Sequence, residues 1–253
     1  MRRIISLRMA ATATLVILVL TTCLEIRDIA RAGGLKIPRL PFAFGGAILD
    51  NLLAFTLMLA AAALLTRRRD GLLRGLGFRW TGWKAPALTA LATVPCWIGL
   101  GMQGKVSTDL SPISLILLAV VFPLVEESVF RGFGFIFTRC ELRWSFAAAA
   151  LVQALIFGMV HWLDAGAGTG LALQIFLITS LGGVVFACLD AFDGFTIWSG
   201  WVFHMSLNAA WMVFSVSETA ATGWIGNVLR SLSAALALLL LWKVRPRPTA
   251  KHA

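Results

Sequence analysis

Long apolar runs constrain the fold more than any other feature of this sequence. Most are about 18 to 25 residues long, and short polar breaks separate them; a helix needs roughly 20 apolar residues to cross a bilayer. With 59% hydrophobic and 13% charged residues, the 253-residue chain has too little polar sequence to cover a soluble globule. Because backbone polar groups in lipid must be satisfied within their own segment, each run is expected to be a helix. The sequence therefore predicts an all-α polytopic transmembrane bundle, with residues 1–253 forming one integral membrane domain.

Eight transmembrane helices are predicted from the apolar runs. They cover residues 9–24, 43–65, 86–101, 112–138, 145–162, 168–189, 195–216 and 223–242. The first follows the basic segment "MRRIISLR", as a signal peptide would, but "TTCLEIRD" offers no small-residue cleavage site. The first span is therefore interpreted as a retained helix.

The net charge of +10 is explained by membrane topology rather than by nucleic-acid binding. With the N-terminus inside, fifteen basic residues fall in cytoplasmic breaks: Arg2, Arg3, Arg8, Arg67, Arg68, Arg69, Arg74, Arg79, Lys84, Arg139, Arg143, Lys243, Arg245, Arg247 and Lys251. Five fall in outer breaks: Arg27, Arg31, Lys36, Arg39 and Lys105. This asymmetry places both termini in the cytoplasm. The composition, rich in Ala, Leu and Arg, indicates a bacterium and hence its cytoplasmic (inner) membrane.

One break departs from this charge pattern. Four of the five outer basic residues lie between the first two predicted spans, where the positive-inside rule expects few. We interpret this segment as a short amphipathic piece that lies on the membrane surface.

The stretch "FPLVEESVFRGFGF", residues 122–135, places three charges inside an apolar run. A charge at mid-bilayer costs about 2.5 to 3.5 kcal/mol on insertion scales, so such residues usually face the bundle interior and mark function. Glu127 and Arg131 are four residues apart on one helical face, in the favourable order for an ion pair. Glu126 points about 100° away from Glu127 and is the candidate general base. The alternative is a buried ion-pair cluster that fixes helix packing.

Two histidines lie inside apolar runs. His161 closes "FGMVH", with Phe157 one turn before it on the same face, and His204 opens "HMSLN", with Asn208 one turn after it. A single histidine in a helix is most often a satisfied core residue. Two of them, with an in-register asparagine and a pair of glutamates on three helices, favour a functional site.

These residues support three chemistries. Glu126 could activate water for hydrolysis while His204 and Asn208 donate to an oxyanion, Glu and His could bind a metal ion, or the cluster could relay protons in a transporter. No serine or cysteine stands in a triad arrangement with these histidines, which disfavours a covalent mechanism. The four cysteines have no metal-ligand spacing.

The motifs "EESVFRG", "FGMVH" and "HMSLN" resemble, in order and spacing, the three motifs of the CPBP family, the CAAX-processing and bacteriocin-processing intramembrane proteases, also called the Abi family. The resemblance covers about residues 112–216. It implies a glutamate-type endopeptidase in which Glu126 activates water, His161 positions it, and His204 with Asn208 stabilise the tetrahedral intermediate. Glu127, Arg131 and Phe157 are implied as supporting residues.

The resemblance also implies the ligands of the site. We expect a peptide or protein substrate at the membrane, lipidated or not, in contact with the lipid bilayer, and no nucleic acid. No cofactor is expected, and a divalent metal is possible but not favoured. The motif residues are complete, which argues against an inactive enzyme.

Two other classes of protein are compatible with these residues. One is a non-catalytic immunity or scaffold protein of the same fold. The other, less favoured, is a transporter, for which the candidate ionisable residues are Asp50, Asp190 and Asp193. Asp50 is interpreted as a cap or an interhelical hydrogen bond, and Asp190 and Asp193 as turn residues.

Overall fold

The chain folds almost entirely into helices. The structure, a computed structural model, describes residues 2–66, 71–216 and 223–245. The helices, numbered in chain order, are α1 (Arg2–Cys23), α2 (Ile26–Ala32), α3 (Gly45–Leu65), α4 (Leu72–Gly75), α5 (Lys84–Ala92), α6 (Val94–Gly101), α7 (Pro112–Cys140), α8 (Phe146–Asp164), α9 (Gly170–Phe192), α10 (Trp198–Val213) and α11 (Trp224–Val244). Strands β1 (Lys105–Val106) and β2 (Phe214–Ser215) pair as a short antiparallel ribbon. The predicted all-α polytopic fold is confirmed.

Some residues used in the sequence analysis lie outside this part of the chain. They are Arg67, Arg68, Arg69, Arg247 and Lys251. The topology that rests on them stays a prediction.

The number of long apolar helices is smaller than predicted. Among the described residues, five helices are long and apolar enough to cross a membrane: α3, α7, α8, α9 and α11. A sixth span results if Arg8–Cys23 and Ile26–Ala32, which meet at 93°, count as one broken span. The predicted span 86–101 is divided at Thr93 into α5 and α6, and α10 has 16 residues, so it covers about 24 Å of a core about 30 Å thick. The count of about eight is therefore not confirmed.

The chain divides into two compact units. Unit 1 comprises Met1–Gly77 and Ser128–Val184, and unit 2 comprises Phe78–Glu127 and Val185–Ala253. Helices α7 and α9 each contribute to both units. The single-domain interpretation stays a prediction.

Unit 1 is held by close helix contacts. Helix α1 packs against α3 and α8, and a Cβ atom added at Gly134 would lie 2.8 Å from the Gln153 Cβ and 3.1 Å from a Leu20 methyl group. The buried Gln153 amide donates to the carbonyls of Ala150 and Gly183, both at 2.9 Å. Small residues and buried amides are the usual means of helix association in lipid, where burial alone gives little driving force.

Unit 2 is built around α10. This helix contacts α5, α6 and the first part of α7, while α11 packs on α5 and α6. One apolar core cluster of unit 2 consists of Ala92, Phe186, Leu189, Phe203, Ala237 and Leu241, and a second consists of Cys96, Leu100 and Ala210. The short helix that carries "HMSLN" is thus surrounded by other helices of its unit.

Helix α7 contains two π-helical stretches, Ile116–Val121 and Glu127–Phe137. The short α-helical stretch Phe122–Glu126 separates them and has Pro123 near its start. Proline cannot donate a backbone hydrogen bond, and π-helical turns are frequent at functional sites. The two glutamates lie where the second π-helical stretch begins.

Candidate active site

The two glutamates of α7 have different environments. Glu127 is buried, with 0% of its side chain exposed, whereas Glu126 is 24% exposed. Adjacent residues on a helix point about 100° apart, which explains the difference. Within unit 2, which contains both residues, the two carboxylates thus differ in exposure, while their predicted roles stay a prediction.

His204 lies between these carboxylates. Its Nδ1 atom is 2.9 Å from the Glu127 Oε1 atom, and its Nε2 atom is 4.0 Å from the Glu126 Oε2 atom. When the Glu127 carboxylate is ionised it can only accept hydrogen bonds, and in that state Nδ1 carries the proton and donates to Glu127. Nε2 then faces Glu126 at a distance too long for a direct hydrogen bond and suited to a bridging water.

Asn208 follows His204 by one helical turn and contacts the backbone of α7. Its Nδ2 atom donates to the Leu118 carbonyl at 3.3 Å. The Phe122 N–H bonds to the Leu117 carbonyl in the π-helical register, and in that register the donor to Leu118 would be Pro123, which has no N–H. Proline thus leaves a carbonyl for the asparagine. The amide retains a second N–H.

Hydrogen bonds between hydroxyl groups anchor α10 at Ser206, which lies between His204 and Asn208 in the sequence. Ser206 lies 2.6 Å from the Thr93 hydroxyl and accepts a hydrogen bond from Trp97 Nε1 at 3.0 Å. Thr93 gives its proton to the Ala90 carbonyl at 2.7 Å, so Ser206 is the donor in the serine–threonine pair. Thr93 stands at the break between α5 and α6, and the break therefore helps to fix the rotation of the helix that carries His204. Sequence reasoning missed this contact, although Ser206 lies inside the motif "HMSLN".

Two aspartates fix the start of α10. Asp193 accepts hydrogen bonds from Thr81, Thr196 and Ser199 at 2.7 to 3.0 Å. Asp190 accepts one from the Gly200 N–H at 3.0 Å. The interpretation of both as turn residues is correct for Asp193 but wrong for Asp190, which is buried in the last turn of α9.

Unit 1 contains the other three predicted residues, Arg131, Phe157 and His161. The Arg131 guanidinium carbon lies 4.4 Å from the centre of the Phe157 ring, and the His161 ring centre is also 4.4 Å from it. Phe130 completes this cluster at 4.8 Å. Phe157 therefore orders both the buried arginine and the histidine through ring contacts.

The hydrogen bond of His161 determines its tautomer. Nδ1 lies 2.9 Å from the Phe157 carbonyl, one turn earlier in α8. A carbonyl can only accept, so Nδ1 carries the proton and Nε2 has the lone pair. Nε2 of His161 can thus hold a water molecule. His161 lies near the end of α8, as the sequence predicted.

Three further predictions concern the Glu127–Arg131 pair, metal binding and Asp50. The pairing of Glu127 with Arg131 stays a prediction. Within the described ranges, no group of three or more His, Cys, Asp or Glu residues is arranged to hold a metal ion. Asp50 makes an interhelical ion pair with Arg27 at 2.8 Å, in agreement with one of its two predicted roles.

The fold is that of an integral, all-α membrane protein, in which unit 2 brings two carboxylates and a histidine together and unit 1 holds a second histidine beside a buried arginine. Residues 108–210 match the family model described as Rce1-like, type II CAAX prenyl endopeptidase Rce1-like. This region therefore belongs to the CAAX protease (CPBP) family, and the predicted family is confirmed. The matched range contains all seven predicted site residues. No curated protein and no solved structure matches the chain.

Proposed function

We propose that this protein is an intramembrane endopeptidase that hydrolyses a peptide bond with a water molecule activated by Glu126. The observation that carries the proposal is the placement of His204, whose Nδ1 atom bonds to Glu127 while its Nε2 atom faces Glu126 at 4.0 Å. The family match supports a CAAX-protease-type membrane endopeptidase.

The first step is attack by water. Glu126, the more exposed carboxylate, takes a proton from the water, and the oxygen attacks the carbonyl carbon of the scissile bond. The resemblance assigns His161 to help position this water, and its Nε2 lone pair is suited to accept one of the water's hydrogen bonds. The product of the step is a tetrahedral intermediate with a negatively charged oxygen.

The second step needs donors for that oxygen. Before the attack His204 takes a second proton from the solvent at Nε2, so that Nδ1–H keeps its bond to Glu127 while Nε2–H donates to the oxyanion. The second N–H of Asn208 is the other donor, because its first is bound to the Leu118 carbonyl. Glu126 then passes its proton to the leaving amine, the C–N bond breaks, and the carboxylate is restored.

The reaction is proposed to need no resident metal ion, on the basis of the family resemblance. Hydrolysis should then continue at an unchanged rate after treatment with a chelator and dialysis. Loss of activity that returns on addition of one divalent metal would contradict this part of the proposal.

The proposal is tested by comparing membrane peptides from cells that carry different variants. Peptide fragments seen by mass spectrometry with the wild-type protein should be absent with Glu126→Gln and with His161→Ala, while each variant accumulates in the membrane. Glu141→Gln, the same change at an exposed glutamate, is the matched control and should give the wild-type pattern. The proposal fails if the Glu126→Gln pattern equals that of the wild type.

A further inference from the structure

A cavity in unit 1 lies outside the residues of the proposed reaction. Its volume is about 330 Å³, and its lining includes Arg27, Arg39, Asp50 and the first residues of α3, Gly45, Gly46 and Ala47. This volume is at the small end of the range for pockets that bind small molecules. The basic residues of this segment depart from the positive-inside pattern, so membrane topology does not explain them.

The charges of the cavity favour an anion. Arg27 is neutralised by Asp50, with its Nε atom 3.1 and 2.9 Å from the two carboxylate oxygens. Arg39 is exposed and has no ion-pair partner among the described residues. The lining therefore has one uncompensated positive charge.

The backbone adds donors on the same side. A Cβ atom at Gly45 would clash with the Leu40 backbone, and one at Gly46 would lie 3.3 Å from the side chain of Arg39. These glycines let the Arg39 stem and the preceding loop approach the helix. The N–H groups of Gly46 and Ala47 have no hydrogen-bond partner within the described residues, and the positive end of the 21-residue α3 dipole adds to the charge of Arg39.

The position of the cavity indicates the source of the anion. Helix α3 is one of the apolar helices able to cross a membrane, and when it does so its first turn lies near a membrane–water boundary. Helix α2 turns by 93° from α1, which directs it along the surface if α1 crosses the bilayer. Leu35 and Phe42, beside the cavity in sequence, are 68% and 57% exposed. Phosphates of phospholipids lie at this boundary, with apolar chains directly below them.

We propose that this cavity binds the phosphate of a phospholipid headgroup. Arg39 and the Gly46 and Ala47 N–H groups contact the phosphate oxygens, and the acyl chains lie against exposed apolar side chains such as Phe42. Arg27 and Asp50 form the floor of the site. The inference does not depend on the proposed peptidase activity.

The test is a binding titration of the full chain in detergent, read by native mass spectrometry. The probe is phosphatidylglycerol, with diacylglycerol, which lacks the phosphate, and glycerol 3-phosphate, which lacks the chains, as comparison arms. Arg39→Gln should weaken phosphatidylglycerol binding about fivefold, the value for one basic residue near a membrane surface. Arg39→Lys should stay within about twofold of wild type, because it keeps the charge.

Arg31→Gln is the matched control. It removes a charge from the same segment, but Arg31 is exposed and already pairs with Asp28 at 2.9 Å, so its effect should be below about twofold. Equal losses from Arg31→Gln and Arg39→Gln would overturn the site. Equally tight binding of diacylglycerol would overturn the role of phosphate, and equally tight binding of glycerol 3-phosphate would overturn its assignment to a lipid.

Discussion

At the scale of single residues, the orientation of the His204 ring depends on its hydrogen bond to Glu127. Glu127 is buried, and its hydrogen bond to Nδ1 leaves Nε2 directed toward Glu126. A hydrogen bond to a charged group typically contributes about 1.5 to 3 kcal/mol. In the proposed reaction Glu127 therefore acts as a positioning residue, and its effect on the rate is expected to pass through the imidazole of His204.

Glu127→Ala should lower the rate of hydrolysis about 10- to 100-fold, since 1.4 kcal/mol corresponds to a factor of ten in rate. Glu127→Gln keeps an acceptor oxygen and should lose less. The ¹⁵N NMR spectrum of labelled imidazoles reports the tautomer directly, and the chain has three histidines to assign. The wild-type protein should show His204 protonated at Nδ1, and Glu127→Ala should lose that preference. An unchanged spectrum together with an unchanged rate would rule out the positioning role.

At the scale of elements, the orientation of α10 is fixed by polar contacts with neighbouring helices. Trp97 donates to Ser206, Ser206 to Thr93, and Thr93 to the backbone of α5. The hydroxyl groups of Ser206 and Thr93 make hydrogen bonds that an apolar side chain could not make. The rotation of His204 and Asn208 toward α7 therefore depends on Ser206.

Ser206→Ala should lower the free energy of unfolding by about 1 kcal/mol, because it leaves the Trp97 N–H and the Thr93 oxygen without a partner. Ser233→Ala is the matched control, since Ser233 is also buried in unit 2 and its Oγ atom has no hydrogen-bond partner among the described residues. Thermal unfolding in detergent, followed by tryptophan fluorescence, measures both. Equal stability of the two variants would show that the hydroxyl chain does not anchor α10.

The sequence predicted where the long apolar helices lie along the chain, but it did not predict where helices break or bend. Hydropathy reports how many apolar residues a segment has, and it identified α3, α7, α8, α9 and α11. It could not show the break at Thr93 or the bend between α1 and α2, which follow from backbone hydrogen bonding and packing. Helix phase predicted that Glu126 and Glu127 separate, but the contact of Glu127 with His204 joins residues 77 positions apart and depends on tertiary packing.

At the scale of the whole molecule, the central question is the orientation of the helices in the membrane. The positive-inside rule predicts cytoplasmic termini, and part of that charge lies outside the described residues. A fluorescent protein that matures only in the cytoplasm, fused to the C-terminus, should therefore fluoresce. A fused alkaline phosphatase, active only outside the cytoplasm, should be inactive. An active phosphatase fusion would show that the C-terminus lies outside the cytoplasm and would contradict the predicted orientation.

Glu126 has the central role in the proposed activity, and its contribution can be measured directly. The measurement is the rate at which the purified, full-length protein hydrolyses the membrane peptide identified in the cell comparison. Glu126→Gln should lower this rate by about 10²- to 10⁴-fold, the usual contribution of a general base, with no change in thermal stability. Glu141→Gln should retain the wild-type rate. Hydrolysis by Glu126→Gln at the wild-type rate would contradict the proposed function.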